Sequence, residues 1–227
     1  ISHSLKGCLT GLDASLYLIE TGFYRNKPAR IEEGLDVTKL MVDRIRKLVL
    51  DILYYAKERD LQLTSIDVWQ FAEDVSTSIE TRIRAANIQF ECNFPSNLGS
   101  FNIDTEIFRP ALINIIENAM EACIEDARDK KHIIKFDVRG EDSQVIFEIS
   151  DNGPGIETDQ VSNIFRLFYS SKGNKGTGIG LFITRKVIHK HGGRISVNTQ
   201  PGKGARFTVY LPRNATIGAT EHAGHAE

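Results

Sequence analysis

Two runs of heptad spacing fill the first sixty residues and restrict what this part of the chain can become. Leu5, Leu9, Leu12, Leu16, Ile19 and Phe23 step 4-3-4-3-4. After a break at Gly22 to Pro28, Ile31, Leu35, Thr38, Val42, Ile45, Val49, Ile52 and Ala56 step 4-3-4-3-4-3-4. Steps of three and four keep these side chains on one stripe of a helix, which is the pattern of a helical bundle. Pro28 suits the first turn of the second helix, where its missing N–H has no intrahelical partner to lose. The two helices are predicted to form an antiparallel hairpin. A hairpin alone buries too little surface, so pairing with its own copy in a dimeric four-helix bundle is expected, and hence a homodimer.

The period changes from about Ile66. Val68, Phe71, Ala72, Val75, Ile79 and Ile83 fit a helix, and Ile88 to Phe94 alternates as a strand. A long helix is predicted from an N-cap at Asp104 to about Ala127. Strands follow at Ile133 to Val138 and Val145 to Ile149, separated by the turn-prone stretch Gly140 to Ser143. A helix over Ile179 to His189 precedes two last strands, Arg194 to Asn198 and Ala205 to Leu211, joined at Pro201-Gly202. The class is α+β: the hairpin, then an α/β sandwich in which helices cover one face of a mixed sheet. The expected divisions are a hairpin at 1–60, a linker at 61–66, a mixed domain at 67–213 and a loose polar tail at 214–227. His222 and His225 in that tail read as tail residues rather than metal ligands.

Composition narrows the function classes. A net charge of −2 over 227 residues provides no general attraction for nucleic acid or an anionic membrane, so a protein or small-molecule partner is expected. Cys8, Cys92 and Cys123 are odd in number and far apart, which argues against a disulfide framework or zinc site and for a reducing, cytoplasmic compartment. No apolar run approaches a membrane span. The opening at Ile1, directly in a helical pattern, reads as a fragment whose upstream part is missing.

Three segments of the mixed domain carry candidate chemistry: Asn114-x-x-x-Asn118-Ala119, Asp151-Asn152-Gly153-Pro154-Gly155-Ile156, and Gly176-Thr177-Gly178-Ile179-Gly180-Leu181. Asn114 and Asn118 lie four apart on one helix face, where two amide oxygens suit a hard cation such as magnesium. The same pair also fits two satisfied amides at a helix surface. Gly153 and Gly155 follow a strand ending in Asp151 and let backbone approach a ligand. The Asp151 carboxylate, acceptor only, suits the exocyclic amine of adenine and meets a lone pair on guanine; a capping aspartate in a tight turn is the alternative. Glycines just ahead of the last helix leave free N–H groups for phosphate.

In this order the segments resemble the N, G1 and G2 boxes of the histidine-kinase, Hsp90 and MutL ATPase superfamily (the GHKL, or Bergerat, type), over about Val68 to Pro212. Ile164-Phe165-Arg166-Leu167-Phe168-Tyr169-Ser170-Ser171-Lys172 is similar to the F box of histidine kinases. His191 to Ile195 and Pro201 to Phe207 resemble that family's last hairpin, with Ala205 where threonine or serine is usual. The resemblance implies a Mg2+-ATP site formed by Asn114, Asn118, Asp151, Gly153, Gly155, Ile156, Phe168, Lys172, Gly176, Thr177, Gly178, Gly180 and Leu181. It makes Asn118, with Asn114, the metal ligand, Asp151 the adenine reader, and Asn174 to Gly180 a lid. Lys172 reads as a partner for the terminal phosphates or as a solvated lysine. Where Hsp90 and MutL relatives have a water-activating glutamate, this chain has Asn114, and an amide is no base. Transfer to another acceptor is therefore favoured over hydrolysis.

Ser2-His3-Ser4-Leu5-Lys6-Gly7 resembles the H box of sensor histidine kinases, which makes His3 the expected phosphoacceptor, Lys6 an electrostatic helper, and a response-regulator receiver domain the onward partner. With Leu5 and Leu12 at a positions, His3 falls at f, away from the seam. The box departs from the family: Ser4 replaces the usual acid, Gly7 the usual threonine or asparagine, and Cys8 the usual proline. Loss of general-base help slows proton removal roughly 10²- to 10⁴-fold, so a slow kinase is expected unless another carboxylate substitutes. A nucleotide-binding signalling scaffold with weak or no catalysis is the alternative.

Overall fold

The computed structural model describes residues 2–56, 60–170 and 178–214, with backbone alone at 2–5, 47–48, 50–56. These residues lie in two compact units, Ile1–Glu58 with Arg166–Gly180, and Arg59–Phe165 with Leu181–Glu227.

The first unit contains helices α1 (Ser2–Tyr24) and α2 (Pro28–Ala56). They reverse through a short turn in which the Lys27 N–H donates to the Gly22 carbonyl (2.8 Å) and Asn26 takes a positive φ of 50°. Pro28 opens α2 as expected. The helices approach closely because small residues line their contact. A Cβ at Gly34 would lie 2.9 Å from the Ser15 carbonyl oxygen, and the fully buried Ser15 hydroxyl sits 3.0 Å from that of Thr38.

The heptad runs do not form one seam. Leu12 and Ile19 on α1, and Ile31, Thr38 and Ile45 on α2, lie toward the hairpin interior, each half-buried. Leu9, Leu16 and Phe23, with Leu35, Val42 and Val49, remain between 43% and 71% exposed. Each helix thus carries two columns at seven-residue spacing, one used within the hairpin and one left uncovered.

The second unit is α+β. Its five-stranded sheet has the order β2 (Gln89–Asn93), β4 (Ile133–Gly140), β5 (Gln144–Asp151), β7 (Gly204–Pro212), β6 (Arg194–Gln200), with β2–β4 parallel and the other pairs antiparallel. Helices α3 (Val68–Ala85), α4 (Thr105–Glu125) and α5 (Gly180–Lys190) accompany it. Asp67 caps α3 through the Gln70 N–H (2.9 Å), and Asp104 caps α4 as its position before an apolar run predicted.

A second, two-stranded sheet pairs β1 (Thr64–Asp67) with β3 (Ser100–Ile103). Part of β1 falls where the sequence reads as the linker 61–66. Four-residue strands are too short for alternation to reveal them, and their pairing spans more than thirty residues of chain.

Phe71, Phe101, Phe108 and Phe147 form the centre of the core, with rings 5.5 to 6.4 Å apart. His191 packs on Phe108 at 5.4 Å. Fully buried, it donates from Nδ1 to the Val187 carbonyl (2.8 Å) and accepts the Asp104 N–H at Nε2 (3.1 Å), so a neutral imidazole joins the end of α5 to the start of α4. Among the described residues no helix is long and apolar enough to cross a membrane.

Candidate functional site

Helices α4 and α5 are joined at Asn114. Thr184, buried on α5, donates its hydroxyl hydrogen to the Ala111 carbonyl (3.4 Å), so its oxygen can only accept from Asn114 Nδ2, 3.0 Å away. The Asn118 amide lies 2.7 Å from the Asn114 backbone carbonyl, which likewise admits only the NH2 end. Both amino groups are therefore tied to protein, and the carbonyl ends are left for a ligand. Two half-buried amide oxygens one helical turn apart form a donor set suited to a hard cation.

Asp151 ends β5, between β4 and β7: its neighbour Ser150 pairs with Arg206, and Asp151 itself with Ile134. Its Oδ1 accepts the Gly153 N–H at 2.8 Å. Burial pushes the carboxyl pKa up, opposed by hydrogen bonds from the Gly153 and Ala205 N–H groups. Asn152 fastens the turn to the start of β4, accepting the Ile133 N–H (3.0 Å) and donating to the Lys131 carbonyl (2.9 Å).

The glycine logic of this turn differs from the expectation that both glycines clear space for a ligand. Gly155 alone takes a positive φ (74°), and a Cβ there would lie 2.3 Å from the Gln200 carbonyl oxygen. Gly204 (φ 94°) is its counterpart, with a Cβ position 1.9 Å from the Asp151 carbonyl oxygen. These glycines let the turn after β5 lie backbone-to-backbone on the β6–β7 turn. Gly153 is buried, without positive φ, against Ala122 of α4. Thr199 completes the join, accepting the Ile156 N–H (2.9 Å) and donating to the Gly204 carbonyl (2.9 Å).

In the other unit, Phe168 takes a positive φ of 66° and donates its N–H to the Gly178 carbonyl (2.8 Å). Gly178 (φ 65°) leaves no room for a Cβ, which would lie 2.4 Å from the Phe168 carbonyl carbon. Gly180 begins α5, and Leu181 follows half-buried. Lys172, Gly176 and Thr177 lie outside the described residues, as do most of the expected lid and residues 215–227 of the tail. His3 falls in the first turn of α1, its side chain outside the described residues; Lys6 is exposed one turn on.

The sequence reading misses Thr184, Thr199 and Arg128. The Arg128 guanidinium donates to the carbonyls of Gly153 (2.7 Å) and Gly202 (2.6 Å) while chelating Asp126. None stands in a recognisable motif, and apart from Asp126 beside Arg128 their partners lie 5 to 74 residues away.

Residues 103–215 match the family described as histidine kinase-, DNA gyrase B-, and HSP90-like ATPase. The chain is 29% identical over 214 residues to the signal transduction histidine-protein kinase AtoS of Escherichia coli (strain K12), covering 94% of this chain and 34% of AtoS. It is 27% identical over 213 residues to sporulation kinase C of Bacillus subtilis (strain 168), covering 93% of this chain and 47% of that protein. It thus spans less than half the length of either relative. Among solved structures, the nucleotide-free catalytic domain of histidine kinase ThkA superposes with a TM-score of 0.59 at 28% identity, over 67% of this chain and 99% of that domain. ThkA in complex with the response regulator protein TrrA shares the fold at a TM-score of 0.70 and 24% identity, over 89% of this chain and 58% of that one. Motifs, fold and relatives agree: residues 103–215 form an ATPase domain of the histidine kinase-, DNA gyrase B- and HSP90-like family, and over 93% or more of its length the chain is similar to histidine kinases.

Proposed function

We propose that this chain is an ATP-dependent protein-histidine kinase that phosphorylates its own His3 and passes the phosphoryl group to an aspartate of a response-regulator receiver domain. The observation that carries the nucleotide half is the pair of tied-back amides: Asn114 and Asn118 keep their carbonyl ends for a ligand beside the turn headed by Asp151. These residues fit magnesium, whose contribution when bound is to neutralise phosphate charge. Asp151 accepts from the adenine amine. Asn114, standing where hydrolytic relatives place a base, leaves water unactivated, which supports transfer to a side chain. The match of an intact ATPase domain and the names of the relatives support the kinase reading. That ThkA has been seen with a response regulator supports the partner assignment.

The homodimer is proposed on the uncovered apolar columns of α1 and α2, which a second copy would bury. A second reading, a nucleotide-binding scaffold with little catalysis, is favoured by Ser4 and Gly7 beside His3.

The test is incubation with γ-labelled ATP and magnesium, comparing acid-labile label on the chain with that on His3→Gln and Asn118→Ala. Label lost in both variants is expected. A chain that binds ATP yet takes up no label would leave the scaffold reading in its place.

A further inference from the structure

The α4–β4 loop sets an ion cluster, built on one buried carboxylate, against the Asp151 turn. Asp126 follows α4, its carboxylate only 3% exposed. Arg128 meets it with Nε at 2.7 Å and Nη2 at 2.6 Å, and Lys130 with Nζ at 3.3 Å. Together these hold the Asp126 carboxyl well below the usual carboxylate range, Arg128 first. The anchored guanidinium then reaches two other segments: Nη2 to the Gly153 carbonyl and Nη1 to the Gly202 carbonyl. Lys130 also donates to the Asn152 carbonyl, and Gly202 returns its N–H to the Pro154 carbonyl at 2.7 Å.

The two ends of Gly153 are thus spoken for. Its carbonyl is held by Arg128, and its N–H is the donor that orients Asp151 Oδ1. The plane that carries this N–H is held at its other end by Lys130 through the Asn152 carbonyl, and the plane that follows is held by Arg128, so the two cations together restrain both backbone rotations at Gly153. We propose that Arg128 is a positioning residue for base selectivity: anchored on Asp126, it fixes Gly153 so that the Asp151 carboxylate faces the amino group of adenine. This rests on the nucleotide reading given above. A planar fork is required, since lysine donates from a single point and cannot span a carboxylate and two carbonyls.

The experiment measures dissociation constants for ATP and for inosine triphosphate, which carries an oxygen where adenine has its amine. The proteins are wild type, Arg128→Lys, Asp126→Asn and Asp151→Asn, each checked for an unchanged unfolding midpoint of the nucleotide-binding unit. The expected result is an ATP preference in the wild type that Asp151→Asn abolishes and that Arg128→Lys and Asp126→Asn reduce about three- to tenfold, with inosine triphosphate affinity unchanged. Equal weakening of both nucleotides would make Arg128 a merely structural brace and overturn the proposal, as would a preference that survives in Arg128→Lys but not in Asp151→Asn. A wild type with no ATP preference would overturn the adenine reading itself, and this proposal with it. Should Asp126→Asn fail to fold, Arg128→Lys, which keeps the charge beside Asp126, decides alone.

Discussion

Thr184 has no reaction to perform, yet its hydroxyl determines which end of the Asn114 amide is left for a ligand. Thr184→Val keeps the shape and removes that acceptor. The Asn114 amino group then loses its partner, which is expected to cost about 1 kcal/mol and to weaken magnesium-dependent nucleotide binding about three- to tenfold. Thr184→Ser should restore both, and nucleotide titrations at fixed magnesium check it; equal affinities for valine and serine variants would count against the assignment. His191 is the second case. Burial lowers its pKa from the ordinary 6.5, with Lys190 adding to the effect and the Val187 carbonyl and Asp104 opposing it. Between the folded value and 6.5 the unfolded chain binds a proton that the native imidazole refuses, so the unfolded state gains as pH falls. Stability from this residue is complete above about pH 6.5 and declines below it. Urea midpoints at about pH 7.5 and about pH 5.5 should differ more for the wild type than for His191→Gln. Asn114, Asn118 and Asp151 stand out in the sequence through the order of three motifs and the family they resemble, since residue type and spacing alone fit satisfied amides and a capping aspartate as well. Thr184 and Arg128 do not, because each gains its meaning from partners that only the folded chain brings near.

At the scale of elements, the turn after β5 and the β6–β7 turn form one backbone surface. Gly204→Ala would drive a methyl into the Asp151 carbonyl at a positive φ, and the expected loss is more than about 2 kcal/mol of stability, read as a lower denaturant midpoint for the nucleotide-binding unit. A variant as stable as wild type would show that these turns move apart freely. Helix α3 is readable from its period and α4 from its period and the cap at Asp104; the cap at Asp67 emerges only in the structure. Strands β1 and β3 are not readable, being four residues each with a non-local partner. The heptad spacing specifies helices but presents each run as a single seam. Separating their two columns needed the partner helix, because spacing alone cannot say which column a small residue such as Gly34 or Ser15 draws inward.

For the whole molecule, the outer columns at Leu16 and Leu35 are the place to test assembly. A Leu16→Glu, Leu35→Glu variant is expected to sediment as a monomer while its second unit still binds nucleotide; a wild type that is already monomeric would remove the four-helix arrangement. A wider consequence attaches to those columns. A hairpin whose apolar surface is completed by another molecule obeys mass action, so its melting midpoint should climb with protein concentration. The nucleotide-binding unit, whose aromatic core closes on itself, should melt at one temperature at every dilution. A calorimetric dilution series would therefore resolve one chain into a transition that depends on its neighbours and one that does not.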